Sequence, residues 1–337
     1  MPFRDIVGHR ALLTLFSHAI GRSTLPPSLI LSGPDGVGKR TTAEAIAQAL
    51  NCLHPVQGEG PIPFDACGTC GACERIPRGV HPDVLRLQPN DKGNIKIDGV
   101  RAMIDHAAYR PFEGRTRVVI IDQADALEVA AQNALLKVLE EPPSDSVFLL
   151  VTAHPDALLI TVRSRCPNAR FRSLATTDVA DILIAHDYAE PDARALAALA
   201  DGSAGRAMAS STDEVMASRD AALHLLASLA SNPDPRRRLD AAKEVIGVTS
   251  GVGATDRERL AETLRVVASL LRDVELLGAQ ANPSWLANPD MTRGLAALAP
   301  LAGERARRGY EAVGDALRAL DGYTNAKLVA DWLAMRV

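Results

Sequence analysis

The run Leu29-Ile30-Leu31-Ser32-Gly33-Pro34-Asp35-Gly36-Val37-Gly38-Lys39-Arg40-Thr41 carries the residues of a phosphate-binding loop. In the pattern G-x-x-x-x-G-K, glycines let successive backbone N–H groups turn toward a phosphate, and the lysine reaches the outer phosphates. A following helix adds its positive dipole end. Ser or Thr should come next, because its hydroxyl ligates the magnesium of a bound nucleotide. Here that position is Arg40. Thr41 has a hydroxyl, but one residue along a helix is a rotation of about 100°, so it faces away from the metal and can touch only an inner phosphate. The candidate nucleotide contacts are Gly33, Gly36, Gly38, Lys39 and Thr41. They leave open whether ATP or ADP is held, or whether the loop is vestigial.

A second acid belongs with this loop. Val118-Val119-Ile120-Ile121 is a β-branched run that ends on Asp122. A carboxylate at the end of a buried strand beside the loop is placed to hold magnesium. Active ATPases of this architecture follow it with Glu, which polarises the attacking water. Here Gln123 follows, and an amide accepts no proton. Asp125 lies past the strand end, where it is expected to cap the next helix. With Arg40 and Gln123 both in place, hydrolysis should be very weak.

Cys52, Cys67, Cys70 and Cys73 form C-x14-C-x2-C-x2-C. Four thiolates with two short spacings suit a closed, tetrahedral structural zinc. An iron–sulfur run would need a further Cys followed by Pro, whereas Cys73 is followed by Glu74-Arg75-Ile76-Pro77. His54 and His81 are read as surface or turn residues, and Cys166 as a small core residue. Arg163, Arg165, Arg170 and Arg172 read either as a basic surface stretch or as a functional cluster.

The elements that must position these groups alternate. Strands are expected at Leu29–Leu31, Val84–Leu87, Val118–Ile121, Val147–Thr152 and Phe171–Leu174. Helices are expected at Lys39–Leu50, at Asp98–Tyr109 with Asp98 as N-cap, and at Val129–Glu140, stopped by Pro142-Pro143. Continuous apolar strands separated by helices imply a parallel sheet covered on both faces. After Leu174 the pattern is helical, broken at Asn232-Pro233, Asn282-Pro283 and Asn288-Pro289. The layout is an α/β P-loop domain over 1–174 with the cysteine insertion at 52–73, a small helical lid over 175–211, and an all-α domain over 212–337.

A net charge of −4 argues against a chain that coats nucleic acid by bulk electrostatics. The opening MPFRDIVGHR has charges but no apolar core, so no secretory leader is expected, and no run approaches the roughly 18 apolar residues of a membrane helix. A cytoplasmic location is expected.

Gly33–Lys39, the cysteine insertion, Ala130–Pro143 (AAQNALLKVLEEPP), Ser164-Arg165-Cys166 and Gly202–Ala207 (GSAGRA) follow one another in the order seen in bacterial clamp-loader subunits. The chain resembles the AAA+ clamp-loader family of DNA polymerase III, and within it the delta prime branch. The resemblance spans essentially the whole length, with weak motifs after Ser211. It implies a five-stranded parallel AAA+ sheet, a lid and a helical collar. It also implies that Arg165 is an arginine finger acting in trans, that Thr152 is at the sensor position, and that Arg206 is the second sensor arginine. The implied partners are gamma/tau and delta subunits, with sliding clamp and primed DNA met through the complex. The implied role is a largely non-hydrolysing stator. Rival readings are an active gamma/tau-like ATPase and a zinc-stapled DNA-binding module.

Overall fold

A computed structural model describes residues 1–209, 212–231, 234–248, 256–282, 285–288, 291–321 and 325–337. The expected boundary at Ser211 and the breaks at Asn232-Pro233, Pro283 and Pro289 lie outside these residues. The described chain divides into two compact units. One is Met1–Asp178 with Gly202–Arg206, and the other is Val179–Asp201 with Ala207–Val337.

In chain order the first unit has α1 (Arg10–Gly21), β1 (Ser28–Ser32), α2 (Lys39–Asn51), β2 (Val56–Gln57), β3 (Phe64–Asp65), α3 (Gly71–Arg75), β4 (Val84–Leu87), α4 (Ile97–Ala107), β5 (Arg117–Ile121), α5 (Val129–Glu140), β6 (Ser146–Thr152), α6 (Ile160–Arg163) and β7 (Asn168–Arg170). The main sheet is parallel with order β4-β5-β6-β1-β7, while β2 and β3 form a separate antiparallel ribbon.

Every residue of β1, β5 and β6 is buried, which is why these strands read as unbroken apolar runs. The period-two alternation still sorts their side chains. Leu29, Leu31, Val118, Ile120, Leu149 and Val151 pack on one face with Leu13, Phe16 and Ile46. Ile30, Val119, Ile121, Phe148 and Leu150 pack on the other with Val100, Leu135 and Leu139. Burying each large aliphatic side chain contributes about 1.5–3 kcal/mol, so the sheet is a rigid platform for whatever its carboxyl ends carry.

Two expectations need correction. The fifth strand is Asn168–Arg170, not Phe171–Leu174, with Ile30, Leu31 and Ser32 paired to Asn168, Ala169 and Arg170. It is a short edge strand that buries only Ala169, so its sequence is polar and carries no apolar run. Phe171 donates the last ladder bond to Ser32 O, and its ring is spent against His9. Helix α4 starts at Ile97, with Lys96 at the N-cap position, and Asp98 lies inside its first turn. There Asp98 complements the helix dipole rather than capping it.

A buried carboxylate fixes the chain into β5. Asp83 accepts from the backbone N–H groups of Phe112 (2.6 Å), Glu113 (2.9 Å) and Gly114 (2.8 Å), and from Arg117 Nη2 (2.8 Å). Asn51 Oδ1 accepts from Arg115 and Thr116 N–H alongside it. β5 runs from Arg117 to Ile121, and Asp122 follows it directly.

The named elements of the second unit are all helices, and α7 (Thr176–Ala185) and α9 (Ala204–Ala209) have residues in both units. It holds α8 (Glu190–Leu199), α10 (Thr212–Ser231), α11 (Pro235–Val248), α12 (Asp256–Gly278), α13 (Thr292–Ala297), α14 (Glu304–Asp321) and α15 (Ala326–Ala334). Leu226, Leu264, Val267, Leu270, Val313 and Leu333 are among the side chains of its core.

Candidate functional site

The loop between β1 and α2 takes the course that its glycines require. Gly33 (φ 145°) and Gly36 (φ 70°) both lie in left-handed space, where glycine is favoured. A Cβ on Gly33 would lie 2.4 Å from Phe171 O, and one on Gly36 would lie 2.3 Å from Ser203 Oγ. Gly38, at the N-cap of α2, has φ 99°.

Lys39 is buried, and its Nζ donates to the carbonyls of Gly33 and Pro34, both at 2.6 Å. Asp35 Oδ1 is 3.5 Å from the same ammonium. Burial lowers the lysine pKa, and Asp35, Asp125 and Asp122 oppose that shift. The ammonium thus satisfies two of the loop's own carbonyls. Thr41 is half-buried, while the neighbouring Thr42 Oγ1 donates to Gly38 O at 2.9 Å.

The segment Gly202–Arg206 latches onto this loop. Ser203 Oγ donates to Asp35 O at 2.7 Å, Gly205 N–H donates to Gly36 O at 2.9 Å, and Arg206 N–H donates to Ser203 Oγ at 3.2 Å. On another side, His9 Nε2 lies 2.8 Å from Val37 O, with its ring edge-on to Phe171. Burial lowers the His9 pKa, which favours a neutral ring donating through Nε2. His9 and Ser203 support the loop without belonging to it, and the only sequence signals for them are Gly8 beside His9 and the GSAGRA run.

Arg40 has a specific seat. Its Nη1 is 3.3 Å from Asp122 Oδ2, and its Nε is 3.2 Å from Glu44 Oε1. Arg86 Nη2 holds the same Glu44 oxygen at 3.2 Å. The strand-end carboxylate expected to serve a metal is therefore paired to a guanidinium from the loop helix. The magnesium that this fold implies does not fit the donor set. Position 40 offers five N–H donors and no oxygen, and Asp122 already faces a fixed positive charge. Gln123 sits in left-handed space (φ 51°, ψ 54°), and its N–H donates to Asp122 Oδ1 at 3.1 Å. Asp125 does not cap α5, whose N-cap position is Glu128. It sits in a 3-10 turn and accepts from Thr152 Oγ1 at 2.6 Å, across two neighbouring strand ends.

The four insertion cysteines converge. All four sulfurs lie within 4.8 Å of one another, the one such His/Cys/Asp/Glu group among the described residues, and they could hold a metal ion. Cys52 Sγ is 3.9 Å from Cys70 Sγ, and Cys67 Sγ is 4.0 Å from Cys73 Sγ. Backbone N–H groups of Cys67 and Cys70 donate to sulfur at 3.2 and 3.3 Å. Burial pushes the Cys67 thiol up, but the N–H donors around it outweigh burial and bring it down to about 6. Burial raises Cys73. Gln48 of α2 donates to Cys73 O at 2.6 Å, and Arg4 donates to Ala66 O and Cys67 O, so the insertion is tied to the loop helix and the N-terminus. His81 is engaged elsewhere, with Glu113 at 3.4 Å and Asp83 N–H donating to its Nδ1.

Arg165 follows α6, with Cys166 buried beneath it and that thiol pushed up by burial to about 11. Arg165 donates to Thr161 O and to Glu140 Oε2, both at 3.1 Å, and its side chain is 32% exposed. Neither partner belongs to the phosphate loop. Arg163 pairs with Asp156, while Arg170 and Arg172 are exposed. The structure thus gathers Gly33, Gly36, Gly38, Lys39, Asp122 and Arg206 around the loop, joins Thr152 to Asp125, and holds Arg165 on a separate surface.

A glycine-rich loop leaving a strand that sits between β6 and β7, with Asp122 ending a strand of the same parallel sheet, defines an AAA+ P-loop fold. Residues 8–175 match the family model described as DNA polymerase III, delta subunit. The chain is 39% identical over 153 residues to the delta' subunit of DNA polymerase III from Pseudomonas aeruginosa, covering 45% of each. It is 33% identical over 225 residues to the tau/gamma subunit of Haemophilus influenzae, covering 65% of this chain and 31% of that one. A gamma subunit-related protein of Thermotoga maritima overlays 96% of the chain and 99% of its own, with 17% identity and a TM-score of 0.40. The chain belongs to the clamp-loader subunit family of DNA polymerase III. It spans from about a third to just under half the length of these curated relatives, which include both delta' and tau/gamma types.

Proposed function

We propose that this chain is a delta-prime-type clamp-loader subunit that does not hydrolyse ATP in its own loop and supplies Arg165 to the ATP site of a neighbouring gamma/tau subunit. The observation that carries the reading is the Arg40–Asp122 pair, which takes both metal-binding positions out of service, while Gln123 removes the water-activating carboxylate. Arg165 supports the other half. A guanidinium that is 32% exposed and, among the described residues, is held by one carbonyl and one surface carboxylate can be given up to a partner's phosphates. In this account Thr152 and Arg206 keep the sensor positions around a loop without turnover. Residues 175–211 act as the lid, and 212–337 act as the collar that joins gamma/tau and delta subunits. The assembly meets the sliding clamp and primed DNA during replication in the cytoplasm.

The insertion is proposed to hold one structural zinc through Cys52, Cys67, Cys70 and Cys73. Sulfurs set about 2.3 Å from a tetrahedral zinc stand about 3.8 Å apart, close to the 3.9 and 4.0 Å seen here. Metal analysis of the pure protein should give about one zinc per chain, and Cys70→Ser should abolish it. Zinc-free wild-type protein with intact thiols would end this assignment.

The second reading, an active gamma/tau-like ATPase, is favoured by the retained Lys39 and by the tau/gamma relatives. Purified chain with ATP and magnesium separates the two. The expected result is no turnover above background. Turnover that Lys39→Ala abolishes would remove the stator reading.

A further inference from the structure

We propose that Arg40 is a tethered cation standing where a divalent metal would stand, so that this loop holds a nucleotide's phosphates without magnesium. The inference concerns this chain's own loop and rests on reading that loop as non-hydrolysing.

The geometry is that of a replacement. Residue 40 is the position whose hydroxyl would ligate the metal, and Asp122 is the carboxylate that would face it from β5. Arg40 Nη1 lies 3.3 Å from that carboxylate, so the guanidinium spans the gap between the loop helix and the strand end. Glu44, one turn along α2, holds Nε at 3.2 Å and is itself held by Arg86 at 3.2 Å, which fixes the arginine stem from the far side. Asp122 and Glu44 are thus each matched by a side-chain cation of this chain.

Magnesium needs near-octahedral oxygen ligands at close range, and this site offers it a permanent positive charge instead. Arginine stays protonated at any working pH and presents a planar fork that suits phosphate oxygens. The two pairs use Nε and Nη1. Among the described residues Nη2 has no hydrogen-bond partner, and the Arg40 side chain is 49% exposed. A phosphate entering the cradle would take Lys39 Nζ from Gly33 O and Pro34 O and meet Arg40 Nη2 beside it. Lys39 and Arg40 then supply the charge that Lys39 and magnesium supply in a hydrolysing site. The ligand class is a nucleoside di- or triphosphate in its metal-free form.

The experiment measures ADP affinity of the full chain by calorimetry, in millimolar magnesium and in EDTA, for wild type, Arg40→Ser and Arg40→Gln. Wild type should bind equally within about twofold in the two buffers, because no metal ligand is left to lose. Arg40→Ser restores a hydroxyl and frees Asp122, so its binding should tighten about tenfold or more with magnesium. Arg40→Gln should bind more weakly than wild type in EDTA, where no metal can replace the lost charge, and thermal melts should show all three folded. Magnesium tightening wild type as much as Arg40→Ser overturns the proposal. Absence of ADP binding by wild type in both buffers overturns it as well. Arg165 takes no part in these readouts, so this inference and the trans role of Arg165 can fail separately.

Discussion

Replacing Arg165 by alanine should leave the chain folded while lowering ATP hydrolysis at the neighbouring site it is proposed to serve by about 10³-fold or more, the range found for arginine fingers. The structural cost is small, because its ion pair with Glu140 joins side chains 32% and 61% exposed, and such pairs contribute under about 1 kcal/mol. The catalytic cost is large because a guanidinium placed against a transferring phosphoryl group neutralises charge that develops only in the transition state. Arg165→Lys should recover little, since a point charge cannot reproduce the planar fork. Arg163→Ala is the matched control. Arg163 is two residues away and similarly exposed, but it is paired to Asp156, and its loss should leave the rate within about twofold. The readout is phosphate release by the reconstituted loader on primed DNA with clamp. Equal rates for Arg165→Ala and wild type would discard the finger.

Asp83→Ala should be the most damaging single change to the fold of the first unit, at about 3–5 kcal/mol. It strands Arg117 in a buried position and leaves the N–H groups of Phe112, Glu113 and Gly114 without their acceptor. The same carboxylate predicts an acid transition. Burial alone would push its pKa up, but the three N–H donors and Arg117 reverse that and bring it down from 3.8 to about 2. A carboxyl whose folded pKa lies below its unfolded value stabilises the protein above the unfolded value and loses that contribution as pH falls through the folded one. The stabilisation should therefore be complete above about pH 4 and fade toward pH 2, with a full size of about 2.5 kcal/mol. Denaturant titrations of wild type and Asp83→Asn across that window check this. Parallel acid profiles for the two proteins would show that Asp83 is not the group responsible.

Features set by neighbouring residues were legible in the sequence. The phosphate loop, Val129–Glu140 and the three central strands each announce themselves within about fifteen residues, and the four cysteines do so through their short spacings. What escaped was set by distant contacts. Arg40 could be read as a missing hydroxyl, but its seat on Asp122 joins positions 82 residues apart. Asp125 looked like a helix cap because nothing local ties it to Thr152. Ser203 over Asp35 and His9 against Val37 are long-range hydrogen bonds with no pattern of their own. The fifth strand was displaced because an edge strand needs little apolar surface, so Asn168-Ala169-Arg170 looks like a loop until β1 pairs with it. Asp83 sits in an unremarkable His-Pro-Asp turn, and only the fold brings its four donors together.

The proposed subunit acts on ATP in another subunit's site and not in its own. Steady-state ATP hydrolysis by a clamp loader assembled with Lys39→Ala, beside one assembled with Arg165→Ala, is the decisive measurement. Lys39→Ala should run at the wild-type rate, and Arg165→Ala should lose turnover at the served site alone. A loss with Lys39→Ala and none with Arg165→Ala would contradict that role.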